Sequence, residues 1–416
     1  MIQTLHTDEN MHNQFVERHP AGDLMQMTGW GEVKQAMGWR CRRVAIAEDE
    51  QLVGSVQILF FPVLGTGYTI AYIPRGFVTD YERLDYVEAL WEETKRLARE
   101  ENAIFVKLDP DIDLGEGVAF ERLVALGFRH KGFEKGFPYV QPRHRMELTL
   151  QTQEEETFQS FQRRTRSKIR TSLKNGITFE RGGASGLSCF SELMEETGKR
   201  DGFVTRDQTY FEKLYQTLHA AGQAELFFCR LHPTVALQQL ENEKSELESA
   251  LIETEQKEQK TEKQQIRRLK KLEELNRRLF KVDQSIEEML HLQQTHPEGK
   301  LLSGALFTYA AGKAHYLYGA SSDAYRSYLP NYRMQWEMIR YATELKLHTY
   351  DFGGVSGYES EEDPYRGLYD FKKLFGTEMK EKIGEFDFVL NPTMYQAYDK
   401  GLPLLKKVRR LVMNYF

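Results

Sequence analysis

From Val235 to Thr295 the chain contains neither glycine nor proline and is dominated by Glu, Lys, Gln and Leu. These side chains lose little rotamer freedom in a helix, and nothing in the stretch breaks a helical hydrogen-bond ladder. Leu237, Leu240, Lys244, Leu247, Leu251 and Thr254 follow a three-four spacing. It lapses over the polar run EQKEQKTEKQQ and resumes at Leu269, Leu272, Asn276, Leu279, Asp283, Ile286 and Leu290. One continuous helix would carry its register through. The break predicts two helices folded back as an antiparallel coiled-coil arm over 235–296, with its tip near 257–263. Lys244, Asn276 and Asp283 at seam positions predict only modest stability, and Pro297-Glu298-Gly299 ends the arm.

The arm interrupts a run of strands. AELFFCRL at 224–231 precedes it, and LLSGALFTY at 301–309 and AHYLYGA at 314–320 follow. A long insertion between paired strands is tolerable because loop-closure entropy grows only slowly with length. A helix at 331–346 and the strand HTYDFGG complete this half. The first half has the same order: a hairpin around Glu48–Gln51, the strand YTIAYIP, a helix with Val87, Leu90, Trp91, Thr94, Leu97 and Ala98 on one face, then AIFVKLDP and the short helix FERLVALGF. Strand-strand-strand-helix-strand, twice, predicts two related α/β units in an α+β arrangement. Each resembles the acyltransferase fold of the GNAT superfamily. The division expected is 1–145, completed by 384–416, for the first unit, and 146–383 for the second. In the returning segment IGEFDFVL, Phe386, Phe388 and Leu390 alternate with Glu385 and Asp387, the pattern of a half-buried strand.

The 416 residues suit two cores with an insertion. No apolar run is long enough to span a bilayer, and the N-terminus lacks the basic and apolar regions of a signal peptide. Cys41, Cys189 and Cys229 are too scattered for a disulfide framework or a zinc site. A cytoplasmic protein with no metal is expected. The net charge of −6 argues against broad coating of nucleic acid but permits a local basic groove.

Seven stretches, in order, resemble the Fem-type family of peptidoglycan aminoacyltransferases (FemA, FemX, MurM): TGWGEVKQAMGW at 28–39, YIPRGF at 72–77, RRTRSKIRTSLKNGI at 163–177, KRDGFVTRDQTYF at 199–211, HYLYGAS at 315–321, YDFGG at 350–354 and LYDFKKLFG at 368–376. The inserted arm stands where FemA- and MurM-like members carry theirs. The resemblance implies two GNAT-like subdomains and aminoacyl-tRNA as donor, with no separate cofactor. The acceptor it implies is lipid II or UDP-MurNAc-pentapeptide, and the amino acid Ala, Ser or Gly. It leaves the amino acid and the exact acceptor open.

The implied reaction is aminolysis of an ester that is already activated, so neither a covalent nucleophile nor a metal is required. Positioning can supply on the order of several kcal/mol of the barrier, and a cation aimed at the developing oxyanion about 3–4 kcal/mol. Lys372, after Phe371, matches the family's catalytic-loop lysine, with Lys373 as the adjacent competitor. The plainer reading is a surface lysine on a helix with Leu368, Phe371 and Phe375 inward. The resemblance places Lys34, Arg206, Tyr210 and Tyr318 on the precursor; Arg206 and Tyr210 would share a face if helical. Phe371 is grouped with them. Asp109 closes a hydrophobic strand and is a candidate to orient or deprotonate the attacking amine, although Asp-Pro is also common turn punctuation.

In the helix expected at 158–174, Arg163, Arg166, Arg170 and Lys174 form one stripe and Phe158, Phe161, Ile169 and Leu173 largely another. A basic stripe suits tRNA or pyrophosphate, or is simply solvated. Lys257, Lys260, Lys263, Arg267, Arg268, Lys270 and Lys271 crowd the arm's tip and second helix; its many Glu residues make a mixed solvated surface the default, and contact with tRNA the sharper reading. At the C-terminus, Lys406, Lys407, Arg409 and Arg410 flank apolar residues, which suits either packing on the first unit or contact with the anionic inner membrane leaflet. Two other functions compete. An acetyl-CoA-dependent GNAT enzyme would need a glycine-rich pyrophosphate loop, and no clear one is present. A non-catalytic coiled-coil adaptor would not explain the two α/β units.

Overall fold

The computed structural model describes residues 2–5, 8–63, 65–257 and 261–399. Two mixed sheets carry the chain. In the first, Arg40–Glu48, Gln51–Val63 and Tyr68–Arg75 pair antiparallel, and Tyr68–Arg75 then runs parallel to Ala103–Pro110 after the helix Leu84–Glu100. In the second, Ala224–Leu231, Lys300–Ala310 and Lys313–Ser321 pair antiparallel, and Lys313–Ser321 runs parallel to Thr349–Val355 after the helix Pro330–Glu344. The repeated order expected from the sequence is present: a mixed α/β fold in which both sheets have the same strand-strand-strand-helix-strand order. The hairpin turns at Asp49 and Glu50, both with positive φ, as a two-residue loop between twisted strands requires.

Phe386–Val389 returns to the first sheet, between Ala103–Pro110 and Arg129–His130. The alternation expected there is corrected. Glu385 and Asp387 are buried like Phe386, because Lys107 Nζ lies 2.7 Å from Glu385 Oε2 and 2.8 Å from Asp387 Oδ1. The C-terminal basic segment, with Lys406, Lys407, Arg409 and Arg410, and Lys260 at the arm's tip lie outside the described residues.

The two units share a core. The helices Thr28–Ala36 and Gln208–Ala220 pack together, and Trp30 and Val33 join one apolar cluster with Phe190, Phe211 and Phe228. Ion pairs cross beside it. Lys313 Nζ meets Asp111 Oδ2 at 2.9 Å, and Lys382 Nζ meets Asp113 Oδ1 at 2.7 Å and Glu147 Oε1 at 3.0 Å.

The arm consists of helices Pro233–Gln256 and Glu262–Thr295. Leu237, Leu247 and Thr254 are buried along the expected seam of the first. The second is corrected at alternate positions. Leu275, Val282 and Met289 are buried, whereas Leu269 and Leu290 face solvent. Leu272, Leu279 and Ile286 hold their places at the interface, so the true stripe runs one residue ahead at every other step. Arg268 is drawn inward and donates to the Thr254 and Glu255 carbonyls, satisfying the open end of the first helix.

The helix expected at 158–174 is two. Glu154–Ser160 ends at Phe161, and Arg163–Lys174 begins after an extended Gln162. Arg166 spans the break, donating to the Gln159 and Phe161 carbonyls at 2.6 and 3.1 Å. Leu173, expected inward, is exposed.

Candidate active site

Two adjoining chambers open between the units, sharing Met25, Gln141 and Leu317 in their walls. The first, about 180 Å³, gathers Lys34, Arg206, Tyr210 and Tyr318. Lys34 projects from the helix Thr28–Ala36, and its Nζ lies 5.2, 5.5 and 6.0 Å from the ring centres of Trp30, Trp39 and Tyr210. Burial, with Arg206 adding to it, lowers the pKa of Lys34 to about 7. Among the described residues no carboxylate pairs with Lys34 or Arg206. Arg206 Nη1 is buried without a hydrogen-bond partner. Two desolvated cations lacking a counter-ion make a site for an anion brought by a ligand.

The helical condition for Arg206 and Tyr210 to share a face is not met. It begins at Gln208, capped by Asp207, so Arg206 precedes it. The guanidinium instead folds back to 5.0 Å over the Tyr210 ring. Tyr318 Oη donates to Tyr210 Oη at 3.2 Å.

Asp109 lines neither chamber. It sits behind Tyr72, accepting from Tyr72 Oη at 2.7 Å and from the Arg75 backbone N–H at 2.8 Å. Burial raises its pKa to about 7 against the pull of Arg75. Its geometry is that of a group positioning Tyr72, which does line the first chamber.

The second chamber, about 140 Å³, forms where the parallel pair of the second sheet parts. Pairing of Lys313–Ser321 with Thr349–Val355 extends only to His315 opposite Asp351. Beyond that point Tyr316, Leu317, Gly353 and Gly354 line the gap. Arg75, from the first sheet, enters the opposite wall from a left-handed turn (φ 64°) held by the hydrogen bond to Asp109.

Lys372 lies behind the two glycines. It is 5% exposed and donates to the Gly354 carbonyl at 2.8 Å. A side-chain carbon on Gly353 would stand 3.7 Å from its Nζ. Burial, then Arg145, lowers its pKa to about 7. The surface-lysine alternative is corrected: Leu368 faces solvent and Lys372 faces in. Lys373 is the exposed neighbour. Phe371 packs edge-on against Tyr332 and Phe375 in the core and reaches neither chamber.

Arg163, Arg170 and Lys174 are exposed on the basic helix, whose Thr165 hydroxyl donates to the Leu374 carbonyl, two residues beyond Lys372. Arg166 is largely committed to the helix break. Thus the structure brings Lys34, Arg206, Tyr210 and Tyr318 together, sets Lys372 behind the Gly353–Gly354 wall of the adjoining chamber, places Asp109 behind Tyr72, and leaves Phe371 in the core. Asp23, Arg75, Arg145, His315 and Asp351 were not singled out. Three of them, Arg75, His315 and Asp351, fall in the quoted stretches, but the convergence of the set depends on segments packed from both sheets.

The FemAB family profile matches residues 7–400. The chain is 44% identical over 411 residues, 98% of both chains, to a protein of Staphylococcus saprophyticus subsp. saprophyticus named lipid II:glycine glycyltransferase. It is 42% identical over 411 residues, again 98% of both, to the protein of that name from Staphylococcus aureus. A crystal structure of FemX superposes with a TM-score of 0.81 at 42% identity, covering 95% of this chain and 99% of that one. This chain belongs to the FemAB family and is a transferase.

Proposed function

We propose that the chain transfers glycine from glycyl-tRNA to the stem-peptide lysine of lipid II, by direct aminolysis of the aminoacyl ester at the inner face of the membrane. The observation that carries this reading is the convergence of Lys34, Arg206, Tyr210 and Tyr318 on one chamber that adjoins a second, behind whose glycine wall Lys372 lies. Its support in the relatives is their name, lipid II:glycine glycyltransferase, at 42–44% identity over 98% of the chain.

In this mechanism Lys34 and Arg206 receive the pyrophosphate, which restores the charge that burial withdraws from Lys34. The Tyr210–Tyr318 pair fixes its orientation. The stem peptide then extends into the second chamber, where the amine attacks the ester carbon. Lys372, protonated, faces the oxygen on which charge develops. Mono-ester activation by the tRNA ribose removes the need for a resident cofactor. No helix among the described residues is long and apolar enough to cross a membrane.

The test is transfer of label from tRNA charged with glycine, alanine or serine to lipid II or to UDP-MurNAc-pentapeptide. Glycine moving to lipid II, with loss of at least a hundredfold in Lys372→Ala, is expected. Absence of transfer from any charged tRNA overturns the reading, and transfer of alanine or serine in preference to glycine overturns the choice of amino acid.

A further inference from the structure

Four buried polar atoms around the second chamber have no hydrogen-bond partner: Asp23 Oδ2, Arg75 Nε, Arg145 Nε and His315 Nε2. Asp23 Oδ2 stands 3.8 Å from Arg75 Nε and 4.0 Å from His315 Nε2, each too far for a direct bond. Native proteins rarely leave one such atom unsatisfied, and four facing one cavity point to a polar guest.

The chemistry of the guest follows from the four atoms. His315 Nδ1 lies 3.5 Å from Asp351 Oδ2, which favours the ring proton on Nδ1 and leaves Nε2 as an acceptor. Burial lowers the His315 pKa to about 4, against the pull of Asp23 and with Arg145, Arg75 and Lys313 lowering it further, so the ring is neutral at pH 7. Burial raises the pKa of Asp23, but the neighbouring cations, Arg75 foremost, outweigh it and the carboxyl stays ionised. Two acceptors therefore face each other with no proton between them, beside two guanidinium donors. A primary amine supplies N–H bonds to both acceptors. Arg75, Arg145 and Lys313 disfavour its ammonium form while Asp23, Asp351 and Asp111 favour it, so the charges around the site nearly balance.

The adduct of an amine with an ester carbonyl carries positive charge on nitrogen and negative charge on oxygen. A chamber with acceptors and donors a few ångströms apart suits both ends. Because it adjoins the chamber holding Lys34 and Arg206, the amine assigned to it is that of the acceptor.

On the functional reading above, we propose that Asp23 and His315 bind the attacking amine of the acceptor lysine, and that His315 Nε2 takes the proton it sheds. The nitrogen lone pair forms the C–N bond while the carbonyl pair moves to oxygen. That pair returns as the C–O bond to the ribose breaks, and the ribose oxygen leaves with its electrons. The proton passes from nitrogen to His315 and then to the ribose oxygen, so the imidazole ends neutral.

The test compares full-length wild type, His315→Gln and Asp23→Asn in glycyl transfer from glycyl-tRNA to lipid II, with kcat, both KM values and the pH profile. Each variant should lose kcat by thirtyfold or more, with both KM values within threefold of wild type. A lipid II analogue carrying thialysine, whose amine sheds its proton more easily, should recover at least threefold of the His315→Gln loss. A merely structural role would not give that recovery. Glycolyl-tRNA, which lacks the donor's amine, should leave the defects unchanged; a defect that vanishes with it would place the donor amine in the chamber and overturn the proposal. If Asp23→Asn unfolds the protein, His315→Gln alone decides. Variants of full activity beside an active wild type overturn this inference alone, whereas an inactive wild type overturns the functional reading with it.

Discussion

Tyr72 Oη donates to Asp109 Oδ2 at 2.7 Å, and the other Asp109 oxygen accepts the Arg75 backbone N–H at 2.8 Å. One carboxylate thus fixes a wall residue of each chamber, Tyr72 in the first and Arg75 in the second. Asp109→Asn keeps one acceptor oxygen and the side chain's volume, so the walls shift without collapsing. Its kcat should fall by about tenfold, well short of the 10²–10⁴ expected when a general base is removed. Steady-state kinetics at saturating acceptor check this; a loss of a thousandfold in a folded Asp109→Asn would return the residue to the chemistry.

Lys372 acts as a cation in the proposed mechanism, and its pKa of about 7 limits the pH range in which it is one. Activity assigned to its charge is present below that value and lost as the pH rises through it. Lys372→Arg keeps a cation at every accessible pH. It should retain a measurable fraction of wild-type kcat and lack the alkaline decline near pH 7, whereas Lys372→Ala should be flat and low. A Lys372→Arg profile that still declines at the same pH would assign the titration elsewhere.

Much of the fold could be read from local pattern, and the failures share a cause. AELFFCRL at 224–231 forms its strand residue for residue, because a short apolar, Phe-containing run is a short-range signal. The seam of the first arm helix was legible for the same reason. In the second, Leu269 and Leu290 look as apolar as Leu275, and only docking against the partner helix decides between them. Burial of Glu385 and Asp387 depends on Lys107, far away in the chain, and no local pattern announces it. The site divides likewise. Lys34, Arg206, Tyr210 and Tyr318 were reached through the family resemblance, whereas Asp23 and His315 meet only because the turn at Leu24–Gln26 packs against the strand Lys313–Ser321 of the second sheet.

The basic helix Arg163–Lys174 carries six cations, and among the described residues none pairs with a carboxylate. Lys168 is engaged with the Tyr332 hydroxyl and Arg166 with the helix break, which leaves Arg163, Arg164, Arg170 and Lys174 to solvent. Their neutralisation to Gln should raise the KM for glycyl-tRNA by about tenfold or more and flatten its salt dependence. The KM for lipid II should stay within threefold. An unchanged tRNA KM would show that this face is simply solvated.

Lys34 sets binding against stability. It is 6% exposed, surrounded by three aromatic rings, with its pKa lowered from 10.5 to about 7 chiefly by burial. Between those values the unfolded chain binds a proton that the folded chain does not, so stability rises with pH across that window. At pH 7 the unliganded protein therefore bears a penalty that it loses toward pH 10.5. Lys34→Met fills the same aromatic box without the charge and should raise the Tm at pH 7 by about 2 °C or more. The gain should shrink steadily as the pH approaches 10. The same substitution removes a phosphate partner and should raise the KM for lipid II at least tenfold. Calorimetry across this pH range, beside acceptor kinetics, checks both halves. A variant less stable than wild type at pH 7 would mean that the cation already has a counter-charge, and that Lys34 supports the fold instead of waiting for a ligand.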